Sequence, residues 1–92
     1  MPVEVRVPPL VHGVTGGKRT LQSSGTTVSE LLGNLDREYP GFLAQLNDEQ
    51  GNLHRFVNIY VNDEDMRFLN KLETPVKDGD VVSILPAMAG GG

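Results

Sequence analysis

Polar and apolar residues alternate at the start of the chain, where Glu4 and Arg6 separate Val3, Val5 and Val7. A period of two predicts a strand with one buried face, and Pro8-Pro9 ends it because proline cannot donate to a sheet ladder. In HGVTGGKRTLQS, Gly16-Gly17 reads as the turn of a hairpin whose returning strand occupies Lys18 to Ser23. The period then changes. Val28, Leu31, Leu32 and Leu35 recur at i, i+3, i+4 and i+7, the apolar stripe of a helix placed at Val28 to Glu38. Thr27, followed three residues later by Glu30, matches a capping box, in which two side chains satisfy free N–H groups of the first turn. Tyr39-Pro40-Gly41 stops the helix, since a residue before proline is driven out of helical geometry and glycine turns the chain. Gly33 lowers helix propensity and predicts close packing against the sheet at that point.

Further on, Phe42, Leu43 and Leu46 predict a short helical turn that closes the core, and NDEQGN a polar loop. Alternation returns in RFVNIYVNDEDMRF, with Val57, Ile59 and Val61 on one face and Phe56, Asn58 and Tyr60 on the other. Asn62 to Asp65 reads as a polar turn, with Asp63, Glu64 and Asp65 solvated, before another short strand begins. Asp78-Gly79-Asp80 is a turn signal, and Val82 and Ile84 alternate with Val81, Ser83 and Leu85 in a last strand. The order β, β, α, β, short β, β predicts an α+β fold with one main helix packed on one face of a mixed sheet.

Composition narrows the function. Ninety-two residues support one core, and 38% hydrophobic with 22% charged residues is ordinary for a globular domain. No apolar run approaches the ~20 residues of a membrane span, so no membrane association is expected. The N-terminus lacks a basic region followed by an apolar stretch, so a cytoplasmic location is expected. Cysteine is absent, which excludes disulfides, a zinc knuckle and a thiol nucleophile. With eight basic against twelve acidic residues, net charge −4, and no basic cluster beyond Lys18-Arg19, nucleic acid is not an expected partner.

Chemical motifs fall away in turn. GGKRT would need glycine at His12 and Ser or Thr at Arg19 to form a phosphate loop. NDED lacks the ligand series of a calcium loop, and His12 and His54 stand apart without companion ligands, so no metal site is expected. No nucleophile elbow, carboxylate pair or dinucleotide fingerprint is present, and the chain is not expected to be an enzyme. There remains the end, ILPAMAGGG, where an expected domain of residues 1–86 gives way to a flexible tail at 87–92. A glycine carboxylate without flanking Cβ atoms can be threaded backbone-first into a partner's cleft and activated there. The same glycines also read as an inert end, and these residues leave both readings open.

The whole pattern, a β-β-α-β-β core ending in Gly-Gly, resembles the ubiquitin-like β-grasp sulfur carriers, which include the molybdopterin-synthase small subunit and the thiamine-pathway carrier. LHRFVNIYVNDEDMRF, Leu53 to Phe68, and DGDVVSILPAMAGG, Asp78 to Gly91, resemble more specifically the CysO-type carriers of cysteine biosynthesis. The resemblance implies a protein cosubstrate that binds no cofactor. An E1-like enzyme uses ATP to adenylate the terminal glycine and converts it to a thiocarboxylate. A PLP-dependent cysteine synthase presents an aminoacrylate made from O-phosphoserine as the acceptor, and a zinc metalloprotease releases the product. The reactive residue is Gly92, or Gly91 if Gly92 is removed, because the family's final AGG falls on Ala89-Gly90-Gly91. Ala89, Gly90 and Gly91 would line the partner's cleft, and Phe56, Tyr60, Phe68 and Leu85 would form a docking patch on an uncovered sheet face. Two alternatives share the activation step: a ubiquitin-like modifier joined to lysines, and a sulfur donor for a thiosugar, molybdopterin or thiazole.

Overall fold

The alternating valines form strand β1, Val3–Arg6, in the computed structural model, which describes residues 2–53 and 57–86. Val3 and Val5 are fully buried, so the period of two sorts this strand into a core side and an open side. The returning strand β2, Thr20–Ser23, pairs with it antiparallel, from Val3 opposite Ser23 to Arg6 opposite Thr20. The connection is not the glycine hairpin that the sequence suggests. A 3-10 turn at Pro9–Val11 and helix α1, His12–Thr15, intervene, and Val11 and Thr15 are buried there. Gly16 and Gly17, with φ of 69° and 85°, instead cap the C-terminus of α1, and the Gly17 N–H donates to the His12 carbonyl at 2.9 Å.

Helix α2, Val28–Glu38, has the predicted bounds, and its four stripe residues Val28, Leu31, Leu32 and Leu35 are all buried. Thr27 Oγ1 accepts from the Glu30 N–H at 3.1 Å, the forward arm of the capping box. The return arm reaches one residue further back, since Glu30 Oε1 accepts from the Thr26 N–H at 2.9 Å. Gly33 is not the site of close packing: a Cβ there would meet no atom within 4 Å. The tight glycine is Gly25, where a Cβ would stand 2.8 Å from the Leu31 backbone nitrogen. Gly41, at φ 95°, opens helix α3, Phe42–Leu46, whose Phe42 and Leu46 close the core as expected.

Strand β3, Val57–Val61, turns through Asn62 and Asp63, both at positive φ, into β4, Glu64–Asp65. β4 therefore lies inside the segment read as a turn, and the strand expected after it is a 3-10 turn at Met66–Phe68. Asp65 stops the strand: its Oδ1 accepts from the Arg67 N–H at 2.9 Å and starts the turn, while Met66 enters the core. A further 3-10 turn at Lys71–Glu73 leads to β5, Val81–Pro86. Sheet order is β2-β1-β5-β3-β4, with β5 parallel to β1 and antiparallel to β3, so the mixed sheet with α2 on one face is as predicted.

The end of the parallel ladder has a local cause. In the parallel ladder, the next donors beyond Arg6 would be Pro8 toward β5 and Pro86 toward β1, and neither has an N–H. The β1–β5 ladder therefore ends at Arg6 opposite Ser83, while β5 runs on beside β3 to Pro86. No helix among the described residues is long and apolar enough to cross a membrane.

Candidate functional site: the open sheet face at the end of β5

Strand pairing decides which residues share the face turned away from α2. Val5, Val82, Ile59 and Val61 point into the core, so Glu4, Arg6, Asn58, Tyr60, Ser83 and Leu85 point outward. Across the strands, Thr20, Arg6, Ser83, Tyr60 and Asp65 stand in one row, each opposite the next. Nearer the end of β5, Leu85 faces Asn58, and Pro86 faces Val57. Two of the expected docking residues thus share this face: Tyr60 half-buried and Leu85 46% exposed.

The two charged members of the row, Arg6 and Asp65, are each already paired. Arg6 Nε donates to Glu4 Oε2 at 2.9 Å. At the far end Arg67 folds onto Asp65, with Nη2 at 2.7 Å from Oδ2 and Nε at 3.2 Å from both oxygens. Asp65 is consequently buried, 8% exposed, and is not the solvated turn residue that the sequence suggests. The side-chain and backbone hydrogen bonds from Arg67 hold its carboxyl pKa below the ordinary value, and the same pair raises that of Arg67. Between these two ion pairs the face carries hydroxyls, an amide and Leu85.

Phe68 is not on the sheet. It sits at the end of the 3-10 turn capped by Asp65, off the strand ladder, and is 84% exposed. Leu69 and Leu72 follow it at 36% and 37% exposed, extending an apolar ridge that the sequence reading missed because FLNKL shows neither a period of two nor a helical stripe. Phe56, Ala89, Gly90, Gly91 and Gly92, and His54 with them, lie outside the described residues.

Among the described residues no group of three His, Cys, Asp or Glu side chains could hold a metal. His12 Nε2 is buried without a hydrogen-bond partner, and it belongs to no such group among the described residues. A cavity of about 190 Å³ on the helix side is lined by Leu32, Leu43, Leu53 and Leu72, with Ser29 and Asn47 at its polar edge, and no titratable side chain. The described surface can dock a partner; it holds no assembled nucleophile, acid or base.

The ThiS family matches residues 9–91. The sulfur carrier protein CysO of Mycobacterium tuberculosis is 47% identical over 93 aligned residues, spanning 99% of this chain and 100% of that protein. The crystal structure of M. tuberculosis CysO matches with a TM-score of 0.87 at 45% identity, over 94% of this chain and 99% of that one. A chain in the crystal structure of the Amycolatopsis orientalis BexX/CysO complex matches with a TM-score of 0.85 at 46% identity, over 97% of this chain and 99% of that one. Small archaeal modifier protein 3 of Haloferax volcanii is 37% identical over 65 residues, 71% of this chain and 70% of that protein. The fold is the ubiquitin-like β-grasp of the CysO structures.

Proposed function

This chain belongs to the ThiS family, and from that premise we propose that it is a sulfur carrier, a protein cosubstrate whose terminal glycine is the reactive group. The observation that carries this reading is identity of 47% to the sulfur carrier protein CysO along the whole chain. The family match extends through Gly91, so the Gly90-Gly91 pair falls within it.

The chemistry proceeds on partner enzymes. The Gly92 carboxylate, or that of Gly91 if Gly92 is removed, attacks the α-phosphorus of ATP on an E1-like enzyme and releases pyrophosphate. Sulfide sulfur then forms a bond to the carbonyl carbon of the acyl adenylate and AMP leaves, giving a thiocarboxylate. Its sulfur adds to the β-carbon of an aminoacrylate that a PLP-dependent cysteine synthase makes from O-phosphoserine. Protonation of the α-carbon and release of the amine from the synthase would complete the addition, and the freed amine then attacks the thioester, so that the acyl group moves from sulfur to nitrogen within one molecule and the thiol is set free. A zinc metalloprotease hydrolyses the new amide and frees cysteine. In this scheme the chain supplies the carbonyl and a docking surface. Tyr60 and Leu85 on the open face, Phe68 at its edge, and Phe56 would hold the partner, while Ala89, Gly90 and Gly91 thread its cleft.

Intact-mass measurement of protein from its native host tests the carrier reading. The expected species is heavier by one oxygen-to-sulfur exchange at the terminal glycine. Incubation of that species with a cysteine synthase and O-phosphoserine should place cysteine on the same glycine; transfer to a sugar, pterin or thiazole precursor instead would reject the cysteine assignment. The likeness to small archaeal modifier protein 3 favours a second reading, a modifier conjugated to lysines. Isopeptide-linked proteins without any thiocarboxylate would put that reading in place of the first.

A further inference from the structure

The two edges of the sheet, β2 and β4, are not alike. β4 is two residues long and begins at Glu64, next to Asp63, so its surroundings are acidic. β2 is four residues long, and its pairing shows which of its backbone groups are used. The Val7 N–H donates to the Arg19 carbonyl at 2.9 Å, which makes these two a hydrogen-bonded pair. By alternation the next such pairs are Val5 with Leu21 and Val3 with Ser23. The N–H and C=O of Thr20 and Gln22, both exposed residues, therefore point away from the sheet and have no partner among the described residues.

Ser24 is the next outward-pointing position, and there the protein supplies a partner itself. Asn34 Nδ2 on α2 donates to the Ser24 carbonyl at 2.6 Å, and Arg37 donates to Asn34 Oδ1. α2 closes the edge at Ser24 and leaves Thr20 and Gln22 open. Between them the edge has no proline and no break in register, two of the devices that keep free strands from pairing. Its surroundings carry an excess of basic side chains, since Glu4, opposite Gln22, is already paired with Arg6. Lys18 and Arg19 precede the open stretch and Arg37 stands beyond it, three of only eight basic residues in a chain of net charge −4. Lys18 Nζ lies 5.9 Å from the centre of the Tyr39 ring, which sets it against the end of α2, where Glu38 is the acidic neighbour.

We propose that the β2 edge docks an extended, acidic segment of a partner protein, which adds as a sixth strand. Its backbone bonds the outward groups of Thr20 and Gln22, and its carboxylates meet Lys18, Arg19 and Arg37. Charge also explains the choice of edge, since Asp63 and Glu64 beside β4 would repel such a segment. β1 separates β2 from β5, so a partner held there leaves the end of β5 uncovered.

The test titrates the full-length, isotope-labelled protein with a capped peptide alternating valine and glutamate, against a valine–lysine control. Expected are shifted and exchange-protected amides at Thr20 and Gln22, with none at Glu64. Gln22→Pro should abolish binding, because it deletes an outward donor while leaving the β1 ladder intact. Arg19→Glu should weaken it by about tenfold, with the α2 and β3 amide spectra of both variants unchanged. No binding by the glutamate peptide, equal binding by the lysine peptide, or binding that survives Gln22→Pro would overturn the proposal. So would concentration-dependent self-association through Thr20 and Gln22, which would assign the edge to a second copy of the chain.

Discussion

Two glycines near α2 show how a single position is decided by its neighbours. Gly25 abuts the backbone of Leu31, whereas Gly33, off the buried stripe, faces open space. Gly25→Ala is therefore expected to lower the melting temperature, because the atoms a Cβ would meet are α2 backbone, which cannot swing aside as the end of a side chain could. Gly33→Ala should raise stability by about 0.5–1 kcal/mol, the gain from replacing glycine inside a helix. Thermal melts of the pair check both signs. Asp65 is a second such position, paired where the sequence suggests solvation. Its folded pKa lies below the unfolded one, so its contribution to stability is complete above the unfolded value of about 4 and is lost as pH falls through the folded value. Urea unfolding of the wild type and Asp65→Asn should show a stability difference at neutral pH that shrinks in acid; a difference independent of pH would reject the charged pair as its source. The pairing was not legible because Asp65 and Arg67 read as one more alternation of acid and base in a polar turn.

At the scale of elements, α2 was readable to the residue because its stripe, cap and stop all lie within one local segment. Leu31 sits fully buried at the centre of the stripe. Leu31→Asp should unfold the domain, since an unpaired buried carboxylate costs several kcal/mol against a total stability of about 5–15 kcal/mol. Glu64→Lys, on an exposed side chain of β4, should leave the fold intact. Circular dichroism separates the two outcomes, and a folded Leu31→Asp protein would contradict the packing of α2. Shorter elements were less legible. α1 has four residues, too few to display a helical period, and it buries only Thr15 of its own. β4 was lost in the polar run NDED, because two residues cannot show alternation.

For the whole molecule, the fully buried side chains among the described residues run from Val3 to Ile84, so removing Gly91-Gly92 should leave the melting temperature unchanged while abolishing the proposed ATP-dependent thiocarboxylation. A truncated protein that is still loaded with sulfur would sink the assignment of the reactive glycine. The sequence by itself determined the strands around Val5, Ile59 and Val82, the helix α2 and the side of each that is buried. It could do so because burying one face of a strand or helix imposes a period on neighbouring residues. Only the tertiary structure decided that β5 lies between β1 and β3, parallel to one and antiparallel to the other. That arrangement sets Tyr60 opposite Ser83 and Asp65, puts Leu85 on the same face, leaves Phe68 off the ladder and exposes the outward groups of Thr20 and Gln22. These placements join segments far apart in the chain, and their register is selected by how the whole sheet fits against α2, a fit that no local pattern encodes.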